Sequence, residues 1–316
     1  MSHTTKNDPI RGIAWFILHC LMFAFIAMIT RILMKQGFPV LEIVFFQTLF
    51  GAILLLPRII LRHIQGIKAL SYKLQILRAF FWSMATICFF YATTVIPMGR
   101  AIAISFAVPL FTSILAVIFL KEKLHFRRLT ALICGFIGMM IIIRPGFDSF
   151  EMASFLVVAA SFMWSMTDIM IKLVGKTHHV FVNTFYFSVF GAICTLPMAL
   201  FVWQTPSSIQ FLWLILLSVL FVANMASITK AYEYGDLTVM MPFVFTELVF
   251  VATLAYFIFG EVIYTSTVIG SAIIIFSSSY IAYRERVERG HSVSQELEKD
   301  LARGLDEDVL QSITKE

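Results

Sequence analysis

Residues 50–57 read FGAILLLP and residues 190–197 read FGAICTLP, so six of eight letters recur 140 positions later. Chance and duplication make different demands on the rest of the chain. Composition sets the background: hydrophobic residues make up 59% of the 316 residues, charged residues 14%, and mean hydropathy is +0.88. A water-soluble domain carries about a quarter charged residues. A surface so poor in charge aggregates in water unless lipid covers it. The chain therefore reads as an integral membrane protein, all α-helical, with the bilayer as its first partner.

Crossing a hydrocarbon core of ~30 Å takes about 20 mostly apolar residues. Ten mostly apolar runs meet that demand approximately. The first five run over Gly12–Met34, Phe38–Pro57, Ala79–Pro97, Ala101–Leu120 and Leu129–Ile143. The second five run over Met152–Val174, Val180–Trp203, Ile209–Tyr232, Leu237–Phe259 and Val262–Tyr283. The first run is followed by further spans and not by a small-residue cleavage site, which reads as an anchor.

Lysine and arginine orient the chain. With both termini inside, inner segments hold seventeen of these residues, among them Arg58, Arg78, Lys121, Arg128, Lys172 and Arg284. Outer segments hold Arg31, Lys35, Arg100 and Arg144. The net charge of +5 is thus a topology signal, and gives no support to nucleic-acid binding, which needs a basic face on a soluble module.

The repeated line falls in the second and the seventh span. The later part of each half also aligns without a gap at an offset of 139, which pairs Phe106 with Phe245, Ala116 with Ala255, Glu122 with Glu261 and Ile142 with Ile281. Duplication is the reading that accounts for all of this. The units are a cytoplasmic N-terminus (1–11), a first five-helix repeat (12–145), a second (152–283) and a charged cytoplasmic tail (284–316). Because five is odd, the second copy enters from the opposite membrane face. Inverted repeats of this kind exchange conformations around a fixed midplane site, which is a transporter's architecture.

Several chemistries are excluded. No GxxxxGK[ST] phosphate loop supports ATP-driven pumping, and neither HExxH nor CxxC is present. No enzyme activity, cofactor or metal is expected. Ionisable groups inside spans are the informative residues, since each costs ~2.5–3.5 kcal/mol at a helix centre unless paired or solvated. Glu247 lies near the midpoint of the ninth span, and its counterpart in the first copy is Val108. It suits a cationic or zwitterionic substrate or a proton, with a structural hydrogen bond as the alternative. Asp168 lies nearer the inner end of the sixth span, four residues before Lys172, so substrate binding and a local ion pair both remain open.

Gln47, Asn224, Tyr91, His19 and Thr246 could complete a polar cavity, or bond across helices. Arg100 at a cavity mouth would suit a substrate carboxylate, while Trp82 and Trp164 could stack on a ligand or simply pack. Small residues at Ala131, Gly135, Gly138, Gly270 and Ser271 mark close helix packing, within the chain or in a homodimer. Glu122 and Glu261 read as fold-level features at helix ends.

Ten spans as five plus five, with halves ending in PLFTSILAVIFLKEKLHFRRLTALICGFIGMMIIIRPG and ELVFVATLAYFIFGEVIYTSTVIGSAIII, resemble the drug/metabolite transporter superfamily, specifically its EamA-type branch. GIAWFIL, EIVFFQ, ILRAFF and QTPSS are further resembling stretches, similar to S-adenosylmethionine uptake transporters of intracellular bacteria. Gln47 and Arg100 depart from that pattern. The resemblance implies a secondary transporter in a bacterial inner membrane, taking up or exchanging S-adenosylmethionine, with a proton or counter-substrate as coupling partner. Export of amino acids or other metabolites is the alternative.

Overall fold

The computed structural model describes residues 8–61, 72–93, 95–96, 98–123, 125–143, 152–175, 180–260, 265–266, 268–280 and 282–283. All regular structure among them is helical. The first half holds α1 (Pro9–Lys35), α2 (Val40–Leu61), α3 (Tyr72–Thr93), α4 (Met98–Ser105), α5 (Val108–Leu120) and α6 (Phe126–Ile143). The second holds α7 (Met152–Gly175), α8 (Val180–Phe201), α9 (Ser208–Tyr234), α10 (Leu237–Met240), a tight 3-10 turn (Met241–Phe245), α11 (Thr246–Phe259) and α12 (Val268–Tyr280). Seven helical stretches are long and apolar enough to cross a membrane, α10–α11 counting as one, and α5 and α12 are shorter apolar helices. Glu261, Arg144 and the segment 284–316 lie outside the described residues.

Two expected continuous spans are broken. Proline lacks an N–H and its ring collides with the carbonyl four residues earlier. Pro109 directs that collision at Ser105, the last residue of α4, and the chain restarts as α5 at Val108. In the second half Pro242 sits in the 3-10 turn, and α11 begins at Thr246. At the offset of 139, Ala107 aligns with Thr246, so both breaks fall at one place in the repeat. Both helices also end alike, in left-handed residues at aligned positions, Lys121 (φ 56°) and Gly260 (φ 65°). Glycine holds that conformation freely, whereas lysine holds it at a steric cost of about 1–2 kcal/mol.

The principal helix pairings all join the two halves. α1 lies on α9, α3 on α7 and α2 on α8, and exchanging the halves turns the first pairing into the second and the third into itself. The repeated line makes the third. A Cβ on Gly51 would sit 3.3 Å from the Ser188 hydroxyl, and one on Gly191 would sit 3.2 Å from Thr48 Cγ2. Thr48 and Ser188 are themselves equivalent at the offset of 140, so each copy offers a glycine to the other's hydroxyl residue. Both hydroxyls are fully buried and bond back along their own helices, Thr48 to Phe45 O at 2.9 Å and Ser188 to Thr184 O at 2.8 Å. The helices thereby approach closely without leaving a polar group unsatisfied.

The outer surface is apolar, with Ile118 (63% exposed), Phe257 and Phe276 (both 76%) facing outward, as lipid contact requires. The small residues of α6 are covered by the chain itself: Gly135 by the ring of Phe245, and Gly138 by α12, where a Cβ would lie 2.9 Å from Gly270 O. This face is internal packing, which corrects the option of a dimer formed through it.

Because Gly191 has no room for a branched chain, Gly191→Leu is expected to separate α2 from α8 and lower the melting temperature in detergent by several degrees, as overpacking costs about 1–3 kcal/mol. Thr48→Ala in the same background should restore part of the loss, which a thermal denaturation series on the two variants checks.

Candidate functional site

The break before α11 carries a functional consequence. It places Glu247 in the first turn of α11, directly after the tight turn whose carbonyls take the Thr246 N–H. Glu247 Oε1 lies 3.6 Å from Nε2 of His19 on α1. The backbone around His19 is held from α9, since Asn224 Nδ2 donates to the His19 carbonyl at 3.0 Å. His19 Nδ1 is buried without a partner.

Asp168 reaches the same region from α7. Its Oδ2 accepts from Thr112 Oγ1 of α5 at 3.0 Å, and its Oδ1 accepts from the Tyr232 hydroxyl of α9 at 3.2 Å. Tyr232 and His19 both pack on Phe16, at ring separations of 6.0 and 5.4 Å. Through Tyr232, Phe16 and His19 the Asp168 carboxylate is joined by direct contacts to Glu247. From α3, Arg78 points into the same interior, 1% exposed, with its Nη2 3.6 Å from Met225 Sδ of α9. Helices α1, α3, α5, α7, α9 and α11 thus each bring one polar or ionisable side chain to a common centre, three helices from each half.

Of the two readings the spacing leaves open for Asp168, the ion pair with Lys172 does not form. Lys172 Nζ turns instead to Glu122 Oε1 at 2.7 Å, the Gly235 carbonyl at 2.8 Å and Asp236 Oδ1 at 3.5 Å. A buried partner with two further acceptors outweighs a helical i,i+4 contact of a few tenths of a kcal/mol. Asp168 is left to the centre of the bundle.

The other sequence candidates scatter. Asn224 borders the cluster but spends its donor on α1. Trp82 lies one turn beyond Arg78 and packs edge-on against Phe187 at 5.5 Å. Gln47 is buried on α2, outside this convergence, while Tyr91 on α3 is exposed and Trp164 packs against Phe89 at 5.4 Å. Arg100 belongs to α4, and its side chain lies outside the described residues.

The lysine and arginine pattern places Arg78 among the inner-surface cations, and the structure corrects this. Helix α3 starts at Tyr72, seven residues before the expected span, and carries Arg78 into the interior. A signal was available: Gln75, Arg78 and Thr86 share helical spacing with Trp82, and all three are buried.

A family model described as the EamA-like transporter family matches twice, over residues 10–144 and 151–283. The chain belongs to the EamA-like transporter family. It is 30% identical over 284 residues to the S-adenosylmethionine uptake transporter of Rickettsia prowazekii (strain Madrid E), covering 89% of this chain and 96% of that protein. It is 31% identical over 284 residues to the S-adenosylmethionine uptake transporter of Rickettsia conorii (strain ATCC VR-613 / Malish 7), with the same coverage. The riboflavin transporter of Vibrio cholerae serotype O1 (strain ATCC 39315 / El Tor Inaba N16961) is 28% identical over 285 residues, covering 89% of this chain and 95% of that one. A crystal structure of another protein superposes with a TM-score of 0.75 over 86% of this chain and 98% of that one, at 12% identity, which shows the fold alone. The chain is a multi-pass membrane transporter of small molecules and not an enzyme.

In this transporter a second charged group ties the halves together at the ends of α5, α7 and α9. Glu122, from the first half, holds Lys172 and also accepts from the backbone N–H groups of Leu237 and Thr238 at 3.1 and 3.0 Å, capping α10. Arg128 Nη1 joins Thr238 Oγ1 at 3.1 Å and lies 3.8 Å from Asp236 Oδ2. Burial alone would raise the Glu122 carboxyl, but the Lys172 charge and the three hydrogen bonds outweigh it and hold the group below its ordinary 4.5.

A lowered carboxylate contributes stability above 4.5 and loses it as pH falls through the folded-state value. Glu122→Gln is expected to destabilise the protein at pH 7 by about 3 kcal/mol, because Lys172 keeps its charge and loses its main partner. The gap in melting temperature between wild type and Glu122→Gln should narrow as pH drops below 4.5, measured in detergent across a pH series.

Proposed function

We propose that this protein is a bacterial inner-membrane secondary transporter working by alternating access, with S-adenosylmethionine uptake or exchange as its activity. The architecture is ten spans in two inverted five-helix repeats, 12–145 and 152–283, with both termini cytoplasmic. The broken helices α4–α5 and α10–α11 serve as the fourth and ninth spans. What carries the reading is the convergence of Asp168 and Glu247, both from the second half, with Thr112 and His19 of the first half on one interior site. Two acids sharing a lipid-surrounded interior are costly unless a cation or proton accompanies them. Helices drawn from both repeats meet there, so a rocking motion of one half against the other exposes the site to either side in turn.

S-adenosylmethionine brings a sulfonium, an ammonium and a carboxylate, and its net positive charge complements the two acids. Trp82 and Phe187, packed beside Arg78, offer an aromatic surface for an adenine. Asn224, which borders the cluster beside His19, is a further side chain assigned to substrate. The riboflavin transporter among the relatives favours a second reading, a neutral planar substrate. Net export of amino acids or other metabolites is the same mechanism run outward.

Proteoliposomes holding the purified protein are expected to show saturable uptake of labelled S-adenosylmethionine, faster when the unlabelled compound is preloaded. Glu247→Gln should reduce that uptake at least about tenfold while the protein stays folded by gel filtration. Uptake of riboflavin with none of S-adenosylmethionine would transfer the assignment to the second reading.

A further inference from the structure

Arg78 carries a buried charge that the fold leaves open. Its Cζ lies 4.1 Å from the centre of the Phe187 ring, its Nη2 donates to Met225 Sδ at 3.6 Å, and its Nε has no partner. A thioether is a weak acceptor. Among the described residues no carboxylate comes within 4.0 Å of the guanidinium. Asp168 stands on α7, the helix packed against α3, yet its oxygens accept from Thr112 and Tyr232.

A purely structural role does not balance. A desolvated cation–π contact is worth about 2 kcal/mol, while a buried guanidinium without an ion-pair partner costs several. Apolar or neutral side chains would fill the position beside Phe187 at less cost. The planar fork of an arginine is, by contrast, shaped to take a carboxylate through two parallel hydrogen bonds.

We propose that Arg78 receives the carboxylate of a zwitterionic, amino-acid-type substrate whose cationic groups face Asp168 and Glu247. The proposal rests on the reading of this cluster as the transport site. Arg78 on α3 and Asp168 on α7 are carried by helices that pack directly on each other, one from each half. Tyr232, which donates to Asp168, lies two turns along α9 from Met225, which accepts from the guanidinium. The site is therefore dipolar, with a cation at one end and acids at the other. An amino-acid head group presents the complementary pair of charges. A cation without a carboxylate leaves Arg78 unpaired and adds repulsion to it, and a neutral flavin leaves both ends unpaired. Sites built around a specific polar group reject analogues that lack it far more strongly than sites selecting by shape. Arg78 thus takes the role that the sequence reading offered to Arg100.

The test compares labelled S-adenosylmethionine with its decarboxylated analogue in proteoliposomes holding wild type, Arg78→Gln or Arg78→Lys. The readout is the ratio of uptake efficiencies, which is independent of how much of each variant is folded. Wild type is expected to prefer the carboxylate-bearing compound by about tenfold or more, as a charge-assisted bidentate contact allows. Arg78→Gln should bring the ratio to within about twofold of unity, and Arg78→Lys should keep an intermediate ratio. An unchanged ratio in Arg78→Gln, with uptake of both compounds reduced together or not at all, overturns the role of Arg78 and leaves the transport function standing. Wild-type uptake of riboflavin without response to either compound overturns the substrate reading along with it.

Discussion

A helix bundle in lipid must satisfy its polar groups from within, because no water reaches them, and this constraint shapes nearly every feature of the fold. Buried hydroxyls bond back along their own helices, as Ser161, Ser165 and Ser218 do at 2.7–2.8 Å. Lys172 gathers an acid and a backbone carbonyl around one ammonium. The free N–H groups at the start of α10 are met by Glu122 from the opposite half. Against that background the groups left unmet stand out. Among the described residues these are His19 Nδ1 and Arg78 Nε in the central cluster, with Glu42 Oε2, Gln75 Oε1 and Ser83 Oγ on α2 and α3.

The same constraint explains why the broken helices matter. An interrupted span exposes backbone donors and acceptors at its break, which lipid would not tolerate. Here the break before α11 lies inside the bundle, with Met241, Phe243 and Phe245 buried, and the new helix start lies beside an acid. Its counterpart before α5 starts with Val108, which has no charge. The scaffold is thus duplicated while its chemistry is not. One copy supplies Glu247 and Asp168, and the other supplies His19, Arg78 and Thr112.

Much of this was legible in the sequence. Apolar runs located α1, α2 and α7–α9 to within a few residues, and the repeated FGAI located the α2–α8 crossing before its glycines could be seen facing hydroxyls. Glu247 and Asp168 stood out because acids are rare in such runs. The breaks were hidden for the same reason the spans were visible: an apolar run stays apolar across a kink, and only Pro109 and Pro242 record it. Arg78 was misplaced because arginine at a span's edge and arginine one turn deeper look alike in one dimension. Asp168 stays an open alternative as partner of Lys172 because spacing along a helix reveals neighbours, whereas Glu122, 50 positions earlier, is revealed only by folding.

The cross-half pairing of helices has a consequence for how the chain is made. Synthesis delivers the first half to the membrane before the second exists. Until α7, α8 and α9 arrive, α3 has no cover for Arg78, α2 has no partner for Gly51, and α1 has nothing on which to lay Phe16. A half-finished molecule is therefore a set of separate spans, one of them carrying an uncovered charge. Assembly must wait for the second half, so biogenesis of this protein is a single late docking event in which two unfinished copies complete each other.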